Sequence, residues 1–478
     1  MITSLNRRAA GLPRIPLAIL LLTILVVTVS QVAAHRPTGP STPGGVASPG
    51  DATAPGVVPV PDTVPGGIDP LAPAAASVTS ADLDRIRADT TFWGDRFRAN
   101  PRDFISATRL AASEIELARA TGDVSAYLAA EAAVDGALAA YPDYPIALGY
   151  RGVVLVALHR FEAARDHATT ILGDWPDDPT ALAILGDAAL ELGDVRAAAG
   201  AYQTLTLVAD SAAAQVRLSH LAFIQGRTGD AVSASRAAVA AATDEGAGGA
   251  ALAWFQYQLG DTLIATGDRA GAADAYAAAL AADPSSHLAR WGLARVAAAE
   301  GRTDDGIRLL DAAIAAVPLP EFLARRADLY MLRAADGDAQ RAADDRATVL
   351  AIAQLAGDAA GVYDRTLSLF LADTGSDPAR ALALAEAELQ ARKDVYGYDA
   401  LAWALLADDR PAEADVAMTT ALAFGTRDAK LLFHAGMIKA ALGDDAGARN
   451  LLTDALTLDD SFDPAGAARA RATLELLP

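Results

Sequence analysis

Residues 256–284, QYQLGDTLIATGDRAGAADAYAAALAADP, contain two amphipathic helical patterns separated by a turn signal. The first pattern carries apolar residues on one face as far as Leu263, and Gly267 interrupts it. In the second pattern Ala272 and Tyr276 lie four residues apart, on one face of a helix. The stretch therefore predicts a helix–turn–helix hairpin in which small residues let the two backbones pack closely.

The same unit recurs along the chain with a period of 34 residues. Because Ala is too common here to mark a repeat, the period is tested on Gly and Pro. Three pairs of these residues are separated by that interval: Gly152 and Gly186, Pro142 and Pro176, and Pro284 and Pro318. The small residue of the first helix falls in register in seven units, at Gly152, Gly186, Ser219, Gly260, Ala294, Ala402 and Gly436. A near-constant period of this length, interrupted by a few added residues at 243–250 and by the irregular residues 319–395, indicates a stack of helix pairs.

This register resembles that of tetratricopeptide-repeat proteins over roughly residues 103–460. The resemblance implies an all-α, right-handed superhelical solenoid of about ten helix–turn–helix pairs. Residues 80–102 are predicted to form a helix that leads into the solenoid, and residues 461–478 a C-terminal capping helix. Residues 319–395 pair as helices but match the motif poorly.

The N-terminal region differs in composition from the rest. Residues 15–34, IPLAILLLTILVVTVSQVAA, contain no charge and follow three Arg residues. This pattern predicts either a cleaved signal peptide or an N-terminal membrane anchor within residues 1–34, and the sequence is compatible with both. Residues 35–79 are rich in Pro and Gly and predict a disordered linker. We therefore expect an extracytoplasmic protein, either secreted or tethered to the membrane by that helix alone.

Composition excludes several classes of function. The chain has 478 residues, a formal net charge of −21 and no Cys. Such a surface repels phosphates, so a nucleic-acid partner is not expected. Without Cys there is no thiolate chemistry and no Cys-ligated metal. The six His are scattered, and neither a nucleophile elbow nor a P-loop is present. We expect no enzymatic activity, no cofactor and no metal.

The resemblance places candidate binding residues on the inner groove. In the family, first-helix positions 2, 5, 9 and 12 line this groove. When these positions are transferred to this sequence, they give the predicted peptide-binding residues Trp254, Tyr257, Asp261, Trp291, Arg295, Tyr396, Asp399, Trp403 and Phe433. Aromatic side chains suit partner binding because they bury a large area with few rotors. The alternative is that these rings pack against neighbouring helices inside a tight superhelix.

Together these patterns predict a non-enzymatic protein-interaction scaffold at the cell envelope, which binds a peptide or protein segment in the groove. The family's cationic clamp for a C-terminal carboxylate is absent from groove positions 5 and 9. The competing hypothesis is a glycan- or small-ligand-binding module that uses the same aromatic groove. The identity of the partner is not contained in the sequence.

Overall fold

A computed structural model describes residues 80–121, 123–360 and 365–478 of the chain. The predicted N-terminal segment, residues 1–34, and the predicted linker, residues 35–79, lie outside the described residues. Regular structure in the described part is helical and comprises these 22 helices: α1 (Ser80–Ala99), α2 (Phe104–Thr121), α3 (Val124–Ala140), α4 (Pro145–Ala157), α5 (Phe161–Asp174), α6 (Pro179–Glu191), α7 (Val195–Val208), α8 (Ala212–Ile224), α9 (Thr228–Asp244), α10 (Gly249–Ala265), α11 (Arg269–Ala282), α12 (His287–Ala299), α13 (Thr303–Ala316), α14 (Pro320–Arg333), α15 (Asp338–Ala360), α16 (Arg365–Thr374), α17 (Pro378–Ala391), α18 (Val395–Ala407), α19 (Pro411–Leu422), α20 (Ala429–Ala441), α21 (Asp445–Leu458) and α22 (Pro464–Leu476).

The helices form ten antiparallel pairs, from α2 with α3 to α20 with α21, and α1 and α22 flank the stack. This confirms the predicted all-α solenoid of about ten pairs. Among the described residues, no helix is both long enough and apolar enough to cross a lipid bilayer.

Short Gly-Asp turns separate the two helices in several pairs. At the turn before α7, Gly193 has a φ of 80°, a left-handed conformation that side chains with a Cβ rarely adopt. The next residue, Asp194, accepts a hydrogen bond from the backbone N–H of Ala197 over 2.9 Å and so caps α7. Asp268 caps α11 in the same way, through Gly271. The turn residues read from the sequence therefore both end one helix and start the next.

The first helix of each pair lies on the inside of the solenoid. First helices of neighbouring pairs touch each other, as α4 touches α6 and α10 touches α12. Each second helix packs on the outside, against its own first helix and the next one. Every residue of α6, α8, α12 and α18 is buried or half-buried, so the inner layer is enclosed along most of its length.

Glycine in the first helices makes room for tyrosine from the second helices. The Tyr276 ring, on α11, lies between Gly260 on α10 and Gly292 on α12, and a Cβ on either glycine would overlap the ring. Tyr202 fills the equivalent space beside Gly186. Both tyrosines are buried, and burying a side chain of this size contributes roughly 2–3 kcal/mol. The small and large positions of the repeat thus fit each other physically.

Residues one superhelical turn apart also touch, which the repeat pattern does not predict. The backbone N–H of Lys393 donates to the carbonyl oxygen of Glu191 over 2.8 Å, and Thr426 Oγ1 donates to that of Ile224 over 2.6 Å. Arg269 donates to Asp460 over 2.6 Å, again across nearly 200 positions. An offset of 202 residues corresponds to about six repeats of 34 residues, so about six pairs complete one turn.

We call this contact the seam. On one side of the seam are the short connections between the two helices of a pair, in the first superhelical turn. On the other side are the loops between successive pairs, in the second superhelical turn. In order, residues 191–194 meet 392–394, residues 224–227 meet 424–426, and residues 267–269 meet 458–461. Because of the seam, the described solenoid is a closed coil with its first helices inside.

Candidate interaction surface

Four of the nine predicted groove residues are packed inside the protein. Trp254, Asp399, Trp403 and Phe433 are between 2% and 6% exposed. The superhelix is tight enough for the inner layer to fill its own interior, so these side chains have protein on all sides. Their burial agrees with the alternative of packing against neighbouring helices, and their role as contact residues for a partner stays a prediction.

Their contacts show how complete this packing is. The Trp403 ring stacks on His434 with centroids 4.0 Å apart, and its Nε1 donates to Asp373 over 2.7 Å. Asp399 and His434 Nδ1 share a hydrogen bond of 2.8 Å. Trp254 meets Phe255 edge to face, with centroids 5.0 Å apart. The polar groups of Trp403 and Asp399 are thus hydrogen-bonded inside the protein, and their side chains are part of its core.

The other five predicted residues, Tyr257, Asp261, Trp291, Arg295 and Tyr396, are half-buried. Arg295 Nη1 donates to Asp261 Oδ1 over 2.8 Å, and the two side chains keep 28% and 30% of their area exposed. The Trp291 ring stacks on Phe322, with centroids 5.1 Å apart. These residues are deep within the coil yet reachable by solvent.

Asp261 is the centre of a three-residue cluster. It accepts from the Tyr276 hydroxyl over 2.6 Å and from Arg295 over 2.8 Å. Burial raises the pKa of Tyr276 well above its ordinary value, and the neighbouring Asp261 carboxylate raises it further. The phenol therefore stays a hydrogen-bond donor at neutral pH, and it holds the carboxylate in place.

A second copy of this cluster lies 74 residues earlier in the sequence. Asp187 accepts from the Tyr202 hydroxyl over 2.8 Å and from Arg217 through two bonds of 2.8 and 2.7 Å. The pairing of these side chains was not predicted from the sequence. The signal was available, because Leu-Gly-Asp precedes Tyr by the same 15 residues in both units. In this copy Arg217 is almost fully buried, so of the two copies it is the Asp261 cluster that presents half-exposed charges to the inside.

A further charged cluster occupies the inner face of the second turn, where α14 contacts α22. Lys430 Nζ donates to Asp373 over 3.0 Å, and these side chains are 31% and 35% exposed. Arg325 lies 3.8 Å from Asp463. Burial alone would raise the pKa of Asp463, but Arg325 and Lys430 outweigh it and hold that pKa below its usual range. Burial and the nearby Asp463 carboxylate raise the pKa of Asp328 to about 6.

The inner face therefore offers two islands of half-exposed charge, each with acid and base together, within an otherwise packed layer. Within residues 80–121, 123–360 and 365–478, no group of three or more His, Asp and Glu side chains is arranged to hold a metal ion. A surface of this kind can bind another molecule through hydrogen bonds and ion pairs.

Comparisons with solved structures returned several helical repeat proteins. A thermophilic tetratricopeptide-repeat protein of Thermus thermophilus is 19% identical over 38% of this chain and 92% of its own, with a TM-score of 0.34. The Cut9–Hcn1 hetero-tetramer of the APC/C is 13% identical over 82% and 94%, with a TM-score of 0.30. The human IFIT1 dimer with PPP-AAAA is 14% identical over 80% and 96%, with a TM-score of 0.41. No curated protein sequence matches the chain.

The tetratricopeptide-repeat family model matches three consecutive segments, residues 115–179, 185–250 and 257–319. Each segment spans about two helix pairs, and the contacts of Tyr202 with Gly186 and of Tyr276 with Gly260 lie in the second and third segments. Proteins of this family generally mediate protein–protein interactions and are typically non-enzymatic scaffolds. Residues 115–319 therefore carry tetratricopeptide repeats, and the 34-residue period and the ten helix pairs extend the same architecture over the described chain.

Proposed function

We propose that this protein is a non-enzymatic scaffold at the cell envelope that binds an extended segment of a protein partner along its inner face. The observation that carries the proposal is the pair of half-exposed charge islands, one at Asp261 and Arg295 and one at Asp373 and Lys430. Elsewhere the inner layer is packed, so these islands are where a partner can exchange hydrogen bonds with the wall.

The chemistry of the islands indicates the kind of partner segment. Each island holds a cation and a carboxylate that already pair with each other. A segment with both donors and acceptors can replace such a pair without leaving a buried charge uncompensated, whereas a segment of one charge sign cannot. We therefore expect a mixed-charge, extended segment, held by backbone and side-chain hydrogen bonds.

The proposal is tested with a double variant of the inner face, Arg295→Ala with Lys430→Ala. The matched control is Arg165→Ala with Arg236→Ala, since both residues are exposed on the outer helices α5 and α9. Each tagged full-length chain is crosslinked in cells and recovered from envelope extract. We expect the control to retain the partners of the natural chain and the inner variant to lose them. If both variants recover the same partners, the inner face is not the binding surface.

Glycan binding on the same face finds less support. Stacking on a sugar needs an open aromatic face, and Trp254 and Trp403 have none. One face of Trp291 is stacked on Phe322, and the Arg295 and Arg325 guanidinium groups lie 5.8 and 6.0 Å from its ring centre. Titration of the protein with polysaccharides, followed by Trp fluorescence, is expected to give no change.

The envelope location rests on the N-terminal sequence. Residues 15–34 have the charge-free length of an export signal or an anchor, and both remain proposals. N-terminal sequencing of the protein recovered from cells distinguishes them. A mature chain that begins near residue 35 indicates cleavage, and an intact N-terminus in the membrane fraction indicates an anchor. Recovery of the intact chain from the cytoplasm alone would contradict the envelope location.

A further inference from the structure

We infer that the seam is a gate, and that separation of the two superhelical turns along it admits the partner segment to the inner face. This inference rests on the proposed function, because it concerns how the same inner face is reached.

The seam closes the side of the coil in front of inner-face residues. His220, on α8, lies deep in the protein and is half-buried, and it faces Asp394 and Arg392 of the next turn. Tyr257 and Asp261 lie on the next first helix, α10, whose turn at Gly267 approaches the carbonyl oxygen of Leu458. With the seam closed, a folded partner cannot approach these residues from the side.

The helices of the two turns pack less extensively across the seam than neighbouring helices do. Within and between neighbouring pairs, helices pack along their lengths. At the seam, turns meet loops instead, as where Gly193 lies against the carbonyl oxygen of Lys393 and near the Phe424 ring. Among the described residues, α3 of the first turn touches α15 of the second.

The two turns share one cluster of buried apolar residues, which contains Leu190 and Ile224 of the first turn and Val395 of the second. An opening motion that leaves the helices intact therefore exposes part of this cluster, so the open form is a minor state.

The hydrogen bonds and ion pairs of the seam can be replaced by bonds to water, whereas its apolar contacts, such as that of the Phe424 ring, oppose opening. Arg269 bonds to Asp460 and lies 3.4 Å from Asp459, and it is one-third exposed. The Glu191 and Arg392 pair is more buried, at 13% and 10% exposure, but Arg392 has a second carboxylate in Glu388, 3.6 Å away, to which it stays paired when Glu191 withdraws. Opening therefore leaves Arg392 paired with a carboxylate, and this lowers the free-energy cost of opening.

The test uses the natural absence of Cys in this chain. Glu191→Cys with Lys393→Cys places thiols on two residues whose backbones are hydrogen-bonded across the seam, and titration of free thiols verifies that oxidation has joined them in a disulfide that locks the seam. A third substitution, Tyr257→Cys, adds a reporter thiol on the inner face, two repeats away from the lock. Full-length chains carrying all three substitutions are compared in oxidised and reduced form, so each locked sample has its own unlocked control.

The reporter is labelled with a small maleimide and with a bulky polyethylene-glycol maleimide. We expect the small reagent to label both forms, and the bulky reagent to label the reduced form faster by about tenfold or more, since it needs the open minor state. Equal rates for the bulky reagent in both forms would overturn the gate, because access would then come from the ends of the coil. A reporter that the small reagent does not reach in either form would overturn it too.

Crosslinked recovery of partners separates this inference from the proposed function. The lock alone, Glu191→Cys with Lys393→Cys, is used in both redox forms, and the gate predicts that only the reduced form recovers partners. If the locked form recovers the same partners, the gate is wrong while inner-face binding stands. If binding is insensitive to Arg295→Ala with Lys430→Ala as well, the proposed function itself is wrong.

Discussion

The carboxylate of Glu191 accepts a hydrogen bond from Arg392 Nε over 2.6 Å, although 201 positions separate the two residues. Arg392 also lies 3.6 Å from Glu388, whose other cation is Arg365 at 2.8 Å. Arg392 therefore pairs with two carboxylates. Glu388 has Arg365 as a second cation, whereas the cation that Glu191 contacts is Arg392. This asymmetry has a measurable consequence for stability.

Arg392→Met is expected to destabilise the protein more than Glu191→Gln. Loss of the Arg leaves Glu191 buried without its cation, which costs about 3–5 kcal/mol in the free energy of unfolding. Glu191→Gln keeps a hydrogen-bond acceptor and leaves Arg392 paired with Glu388, so we expect a loss of about 1–2 kcal/mol. Urea unfolding followed by circular dichroism measures both. Arg410→Met, at an exposed pair, is the control with little effect, and equal losses for the two seam variants would contradict this interpretation.

Gly260→Ala tests the fit between the small and large positions of the repeat. The added Cβ would overlap the Tyr276 ring, so the helices must separate, at a cost of about 1–3 kcal/mol. The matched control is Gly200→Ala, in the middle of α7, where a Cβ meets no atom within 4 Å. There the higher helix propensity of Ala is expected to stabilise the protein by up to about 1 kcal/mol. Thermal unfolding of both variants gives the comparison, and losses of equal size at both positions would contradict it.

Asp328→Asn should stabilise the protein at neutral pH but not in acid. Burial and Asp463 raise the pKa of Asp328 from 3.8 to about 6, so its ionised form is disfavoured by the fold. The stability that its neutral form confers is complete below the unfolded pKa and is lost as pH rises through about 6. We expect the free energy of unfolding to increase by about 1–3 kcal/mol at about pH 8 and to stay unchanged near pH 3.

The measurement for Asp328→Asn is urea unfolding across that pH range. Asp274→Asn, at an exposed position on α11, provides the control for the loss of one negative charge at the surface. A gain of the same size at every pH, or an equal gain in the control, would show that the substitution acts through net charge and not through burial of Asp328.

His159→Asn should protect the protein against mild acid. Burial and the nearby Arg392 lower the pKa of His159 from 6.5 to about 3, so the folded state holds this ring neutral. Below pH 6.5 the unfolded chain binds a proton that the folded state does not, and stability is lost as pH falls. The variant is expected to be about 1–2 kcal/mol more stable than the natural chain at about pH 5, and similar at about pH 8.

Asn is chosen at position 159 because the backbone there has a φ of 56°, which Asn tolerates better than most residues. Asp409 has a similar φ of 59° in an exposed turn, so Asp409→Asn controls for the change of residue type in a left-handed turn. An advantage of His159→Asn that does not depend on pH would point to backbone strain as the cause, and would contradict the role of the buried ring.

The sequence carried reliable information about the repeat itself. Gly260 and Tyr276 have fixed partners within one helix pair and its neighbour, so their spacing alone predicts that they pack together. The 34-residue period predicted the all-α solenoid and its pair count for the same reason. The cluster at Asp261 was equally local, and the Leu-Gly-Asp motif with Tyr 15 residues later would have revealed it.

The accessibility of the predicted groove depended on a property that no single repeat contains. The sequence predicts that Trp403 and Phe433 lie on the inner side of their helices, and they do in the structure. Whether that side is open to a partner depends on the curvature of the whole stack. Curvature is the sum of small rotations between pairs, set by many side-chain contacts at once. Here it brings the inner helices so close together that these rings fill the interior.

By itself, the sequence determined the helix pairs of this protein, their order and the side of each helix that faces inward, because these depend on residues within about 40 positions of one another. Only the tertiary structure decided that the coil closes on itself. Glu191 and Lys393 meet because about six repeats complete one superhelical turn, and the pitch of that turn is short enough for its edges to touch. No local pattern marks that contact, since its residues belong to turns and loops whose sequences already serve to end one helix and start the next.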